Sequence, residues 1–117
     1  HEKYVDKILK PTEIYVKEVM NLIDNGVNIK GIAHITGGGL SNLDRILPEG
    51  LSVNWKSQIN KPFVFDLIQK DGNISDEEMV RVFNGGIGMC LVVEPKEVVK
   101  VFSEKISTPL LSVGNIV

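Results

Sequence analysis

Two glycine-rich segments are where this sequence could concentrate chemistry. Six of the eleven glycines fall in Gly37-Gly38-Gly39 and in Gly85, Gly86 and Gly88. Adjacent glycines lose much backbone entropy on folding, so their use signals unusual dihedrals or the close approach of another group. The first run follows an apolar stretch and precedes a short amphipathic one. In a strand–glycine–helix setting, backbone N–H groups can converge on an anion, and the helix start adds partial positive charge. Thr36 and Ser41 can add hydroxyl donors, and Arg45 a full charge. A turn without a ligand uses the same residues, so the pattern supports a phosphate site without naming the phosphate. No Gly-Lys-Ser/Thr follows, and the spacing is not a dinucleotide fingerprint.

The second segment, Asn84-Gly85-Gly86 with Gly88, suits a helix C-cap and turn. Asn84 can also offer its amide to a polar ligand. His34 is the only histidine inside the chain. It is either a structural residue bonded to backbone or a proton-transfer group near reacting atoms. Cys90, the single cysteine, lies in an apolar run with no histidine near it in sequence, which suits a small core residue. Asp44, Asp71, Asp76, Glu77 and Glu78 sit at helix ends as solvated charges and form no metal constellation.

The elements that would position these groups alternate. Pro11-Thr12 opens a helix carrying Val16, Val19, Met20 and Ile23, closed by Asn25-Gly26. Ile29 to Ile35 reads as a buried strand. Ser41 is placed to cap a short helix with Leu43, Ile46 and Leu47, which Pro48-Glu49-Gly50 stops. Leu51, Val53 and Trp55 alternate with polar residues as a half-buried strand does. A helix starts at Lys61-Pro62 and ends at Gly72, and Ser75 with Glu78 forms a capping-box pattern for the next. Ile87 to Val93 is the most apolar strand. Pro95 suits the first turn of a helix with Val98, Val99 and Phe102, and a last strand covers Leu110 to Val113, extending toward Val117. The expected fold is α+β: one mixed β-sheet with helices packed mainly on one face.

Bulk composition agrees with a single ordinary domain. The 117 residues are 43% hydrophobic and 24% charged, with a net charge of −2. No basic block points to nucleic acid or a membrane surface, and no apolar run reaches the roughly 18 residues of a membrane span. A lone cysteine fits a reducing compartment, so a cytoplasmic location is expected.

The residues also carry a family likeness. His34-Ile35-Thr36-Gly37-Gly38-Gly39-Leu40, followed by Asn42, Arg45, Leu47 and Pro48, resembles the HITGGG…N…R.LP signature of the phosphoribosylformylglycinamidine cyclo-ligase family. Leu9 to Lys17 is similar to its L.PT.IYVK segment. Gly72-Asn73-Ile74, Glu78-Met79, Arg81 and Phe83 to Met89 resemble GN(V/I)…EM.R.FN.G(V/I)GM. The matches run in order from about Leu9 onward. One departure is Gly85, where the family more often has a larger residue.

This resemblance implies the C-terminal lobe of an AIR synthetase-like enzyme, residues 1–117 forming one substrate-binding domain whose N-terminal ATP-binding lobe lies outside the sequence. It implies ATP- and magnesium-dependent ring closure of formylglycinamidine ribonucleotide in purine biosynthesis, in a homodimer, with no nucleotide held tightly by this lobe alone. By the same resemblance, Thr36, Gly37, Gly38 and Gly39, with Asn42 and Arg45, would hold the substrate's ribose phosphate. His34 would be a catalytic candidate, and Asn84, Gly86 and Gly88 would lie near the cleft. Competing readings are a free-standing phosphate or small-molecule binding module, or the lobe of a related enzyme such as formylglycinamide ribonucleotide amidotransferase or selenophosphate synthetase.

Overall fold

A computed structural model describes residues 4–56 and 61–117. Its elements in chain order are helices α1 (Val5–Ile8) and α2 (Val16–Asp24), strand β1 (Ile29–His34), two 3-10 turns (Gly39–Asn42 and Asp44–Ile46) and strand β2 (Val53–Trp55). Helices α3 (Phe63–Gly72) and α4 (Asp76–Val82), strand β3 (Met89–Val93), helix α5 (Val98–Ser103) and strand β4 (Gly114–Ile116) complete the described residues. The α+β class expected from the sequence holds. In place of one mixed sheet, the strands form two antiparallel pairs, β1 with β3 and β2 with β4. The second pair is closed at both ends by backbone bonds, Ser52 with Val117 in both directions and the Lys56 N–H to the Val113 carbonyl. Its short strands spend their ladder on each other.

The β1–β3 ribbon organises the core because both its faces are covered. A register shift between Ile29 and Gly31 marks a bulge in β1. The extra residue reverses which side the strand's side chains take, since alternation has period two. Ile29 therefore joins Leu22, Val27 and Val101, together with Leu91, Val93, Ile106 and Leu110, under helices α2 and α5. Ala33 and Ile35 face the other way and pack with Leu43 and Cys90 beneath Val53, Trp55 and Val113 of the second ribbon. Helices α2 and α5 thus share one face of the central ribbon, and the second ribbon takes the other.

Helix ends follow from their residues. At the end of α2 the N–H groups of Asn25, Gly26 and Val27 bond back to the carbonyls of Asn21, Ile23 and Leu22, with Gly26 left-handed at φ 76°. Lys100 of α5 donates to the freed Gly26 carbonyl at 2.8 Å. At α4 the Ser75 hydroxyl accepts the Glu78 N–H at 3.2 Å, the N-cap bond that the Ser-x-x-Glu pattern predicts. The reciprocal half of the box is absent, because Glu78 turns its carboxylate to Arg81 at 2.6 Å.

Several sequence expectations shift. Helix α2 starts at Val16 rather than Pro11, and the short helix α1 precedes it. The helix expected after Ser41 is two 3-10 turns, and Ser41 donates to the Gly38 carbonyl at 2.6 Å without capping anything. The last strand lies at Gly114–Ile116, beyond Leu110 to Val113, because its register is set by β2. Leu51 lies outside β2 and is exposed.

Candidate functional site

The Gly37-Gly38-Gly39 turn leaves β1 at the end of the central ribbon, where the Ile35 N–H donates to the Gly88 carbonyl at 2.9 Å. That bond joins the two glycine segments. Gly38 and Gly39 are both left-handed, φ 95° and 58°, a conformation that side chains with a Cβ rarely adopt. Gly39 is also pressed against the C-terminal end of α4. A Cβ there would collide with the Val80 carbonyl oxygen and lie 2.8 Å from that of Phe83. Its N–H is already used, bonded to the Thr36 carbonyl at 3.1 Å. Gly39 therefore shapes the turn and lets α4 approach it.

Asn42 has the same kind of task. It is buried at 8% exposure, and its side-chain amide donates to the carbonyls of Gly39 (2.7 Å), Gly37 (3.3 Å) and Thr36 (3.5 Å). With the carbonyls gathered inward, the N–H groups of Gly37 and Gly38 find no acceptor among the described residues. Arg45 stands beside them, its Nη2 4.0 Å from the position a Cβ on Gly38 would take. It makes no ion pair among the described residues. Two free amides and an unpaired guanidinium are an arrangement that can bind an oxyanion.

Next to this turn lies a cleft of about 520 Å³. Its walls include His34, Thr36, Asn84, Gly86 and Gly88, so the end of β1 and the second glycine segment meet on one surface. His34 is exposed, and its imidazole has no hydrogen-bond partner among the described residues, leaving it available to a ligand. Asn84 accepts the Gly86 N–H through Oδ1 at 2.9 Å, which fixes the second turn. Gly37, Gly38, Asn42 and Arg45 are not on the walls of this cleft; they border it through Thr36. A second hollow of about 550 Å³ runs along β1, from Val27 to Ile32, but its one charged group, Lys30, is paired with Glu94.

Tyr15, Glu13, Thr12 and Phe65 also line the cleft, and sequence reasoning missed them. The structure lays the Tyr15 phenol on Gly88, where any Cβ would overlap the ring. A glycine starting an otherwise branched apolar strand was the available signal of such a close approach. Phe65 is held by an edge-on contact with Phe83, ring centroids 6.1 Å apart. Cys90 is buried in the core, and desolvation raises its thiol pKa above the ordinary value, which disfavours the nucleophilic thiolate.

Residues 1–110 match the family described as AIR synthase related protein, C-terminal domain. The chain belongs to this family. Curated relatives carry the name phosphoribosylformylglycinamidine cyclo-ligase. The one from Geotalea daltonii is 54% identical over 95 residues, covering 80% of this chain and 27% of the relative. That from Citrifermentans bemidjiense is 51% identical over 94 residues, 79% of this chain and 27% of the relative. A plant relative, named as the chloroplastic/mitochondrial enzyme of Vigna unguiculata, is 46% identical over 102 residues, 86% of this chain and 26% of its own length. The chain spans about a quarter of the length of the curated relatives it matches. As a member of the AIR synthase C-terminal family it keeps both glycine segments inside the matched residues.

Proposed function

We propose that this chain is the substrate-facing lobe of a phosphoribosylformylglycinamidine cyclo-ligase, which closes the imidazole ring of 5-aminoimidazole ribonucleotide in purine biosynthesis. The observation carrying this reading is about 50% identity, over four-fifths of the chain, to proteins of that name. No observation favours a free-standing binding module or a lobe of a related synthetase.

The reaction needs a poor leaving group made better. ATP phosphorylates the formyl-amide oxygen of formylglycinamidine ribonucleotide, an amidine nitrogen attacks that carbon, and phosphate departs as the ring closes. Catalysis then consists mostly of positioning and charge stabilisation. Among the described residues no three carboxylate, imidazole or thiolate groups gather closely enough to hold a metal. The reading puts ATP and its metal in another lobe of the protein. The resemblance further implies a cytoplasmic homodimer.

In this lobe, the free amides of Gly37 and Gly38, the Thr36 hydroxyl and Arg45 would grip the ribose phosphate, with Gly39 and Asn42 holding the turn. His34, exposed on the adjoining cleft, would serve proton transfer at the ring-closing atoms. The test uses the intact protein bearing this chain. Arg45→Ala is expected to raise KM for the ribonucleotide about 10- to 100-fold with the fold kept, as loss of a charge-assisted bond does. His34→Asn should instead lower kcat by about 100-fold or more at unchanged KM. An Arg45→Ala enzyme with wild-type KM would remove the phosphate assignment.

A further inference from the structure

The sequence holds two Asn-Gly pairs, Asn25-Gly26 and Asn84-Gly85, and the fold treats them differently. Asparagine followed by glycine is chemically labile, because the next backbone nitrogen, unshielded by a Cβ, can attack the side-chain carbon Cγ. At the first pair that nitrogen is engaged. The Gly26 N–H donates to the Ile23 carbonyl at 2.8 Å, closing α2, and Asn25 Nδ2 is tied to Asn21 at 2.8 and 3.1 Å.

At the second pair neither restraint is present among the described residues. The Gly85 N–H has no acceptor there, and a Cβ on Gly85 would meet nothing within 4 Å. Asn84 Oδ1 accepts the Gly86 N–H at 2.9 Å, which folds the carboxamide over the intervening Gly85 peptide. The same bond draws electron density from Cγ and makes it a better electrophile. Asn84 is half-buried on the wall of an open cleft that water can enter.

We propose that Asn84 is a site of spontaneous deamidation, which places a negative charge on the cleft wall. The Gly85 nitrogen, its proton lost to solvent, attacks Asn84 Cγ. The new C–N bond closes a succinimide, the Cγ–Nδ2 bond breaks, and Nδ2 leaves as ammonia with a proton from water. Water then adds to one of the two ring carbonyls and opens either C–N bond, giving aspartate or isoaspartate. One water is consumed, one ammonia is released, and no electrons change hands.

The two products act differently. An aspartate keeps an oxygen for the Gly86 N–H, so the turn survives with only its charge changed. An isoaspartate adds a methylene to the main chain and shifts Gly86 and Gly88, and with them the Tyr15 ring resting on Gly88. Either carboxylate repels a phosphate bound nearby; this consequence alone rests on the proposed function.

The test is peptide mapping by mass spectrometry of the full chain held folded at mildly alkaline pH, with isoaspartate counted by enzymatic methylation. Conversion at Asn84 is expected to outrun that at Asn25 by roughly fivefold or more, the scale of one hydrogen bond held against attack. Gly85→Ala should stop conversion at Asn84 and leave Asn25 unchanged. In urea the two sites should converge, which keeps the test decisive even where Gly85→Ala misfolds. Equal or faster conversion at Asn25 in the folded chain, or a difference that persists in urea, overturns the proposal. Because mass is read rather than turnover, this failure is separate from a failure of the cyclo-ligase reading.

Discussion

Gly39 and Asn42 hold the first glycine turn from opposite sides, one by having no side chain and the other by spending its amide on three carbonyls. The family resemblance implied that both touch a ligand, since a glycine run and an asparagine near an arginine look alike whether they bind or build. For Gly39 the difference lies in what α4 does, and α4 is some forty residues away in sequence; for Asn42 it lies in three local carbonyls. Gly39→Ala would drive a methyl into the Val80 carbonyl at a left-handed φ, and should destabilise the fold by about 2 kcal/mol or more. Gly37→Ala, whose methyl would meet nothing, should stay within about 1 kcal/mol of wild type. Urea unfolding of the two variants checks the contrast. Equal losses would mean that the contact with α4 does not hold the turn.

At the scale of elements, local signals were legible where the bonds they predict are local. Ser75 caps α4 as its spacing predicts, and Asn25-Gly26 closes α2. Ser75→Ala should cost about 1 kcal/mol, seen as a lower urea midpoint at unchanged slope. A change under a few tenths would show that Asp76 and Glu77 at the helix start carry the stabilisation instead. The bulge in β1 had only Gly31, a glycine inside an apolar run, as a local signal. Only its pairing with β3 reveals the extra residue, and that residue decides that Ile29 and Ala33 serve different cores. Pairing of β2 with β4 was illegible for the same reason, since about sixty residues separate the partners.

Across the whole molecule, two small cores flank one ribbon, and a surface ion pair links β1 to Glu94, the residue that follows β3. Glu94 receives Lys96 at 2.7 Å and Lys30 of β1 at 3.1 Å. Lys96, then Lys30, hold the Glu94 carboxyl below its ordinary value of 4.5, and the Ser107 hydroxyl does the same for Glu18 of α2 at 2.5 Å. A depressed carboxyl stabilises the fold above its unfolded value and stops doing so as pH falls through its folded one. The thermal midpoint should therefore hold steady from neutrality to about pH 5 and fall below 4.5. Glu94→Gln should make that acid decline shallower, and the difference should shrink in high salt. An unchanged acid limb in the variant would remove Glu94 from the account.

By itself the sequence determined most element types, the family likeness and the two glycine segments as places of interest, because periodicity, caps and glycine content are written within a few residues. It could not determine which strands pair, where Tyr15 rests, or that Thr36, His34 and Asn84 line one cleft. Those facts depend on a backbone bond from Ile35 to Gly88 and on packing between residues far apart in the chain. Such contacts form only once the whole chain has exchanged its entropy for burial, and no short window of sequence encodes them.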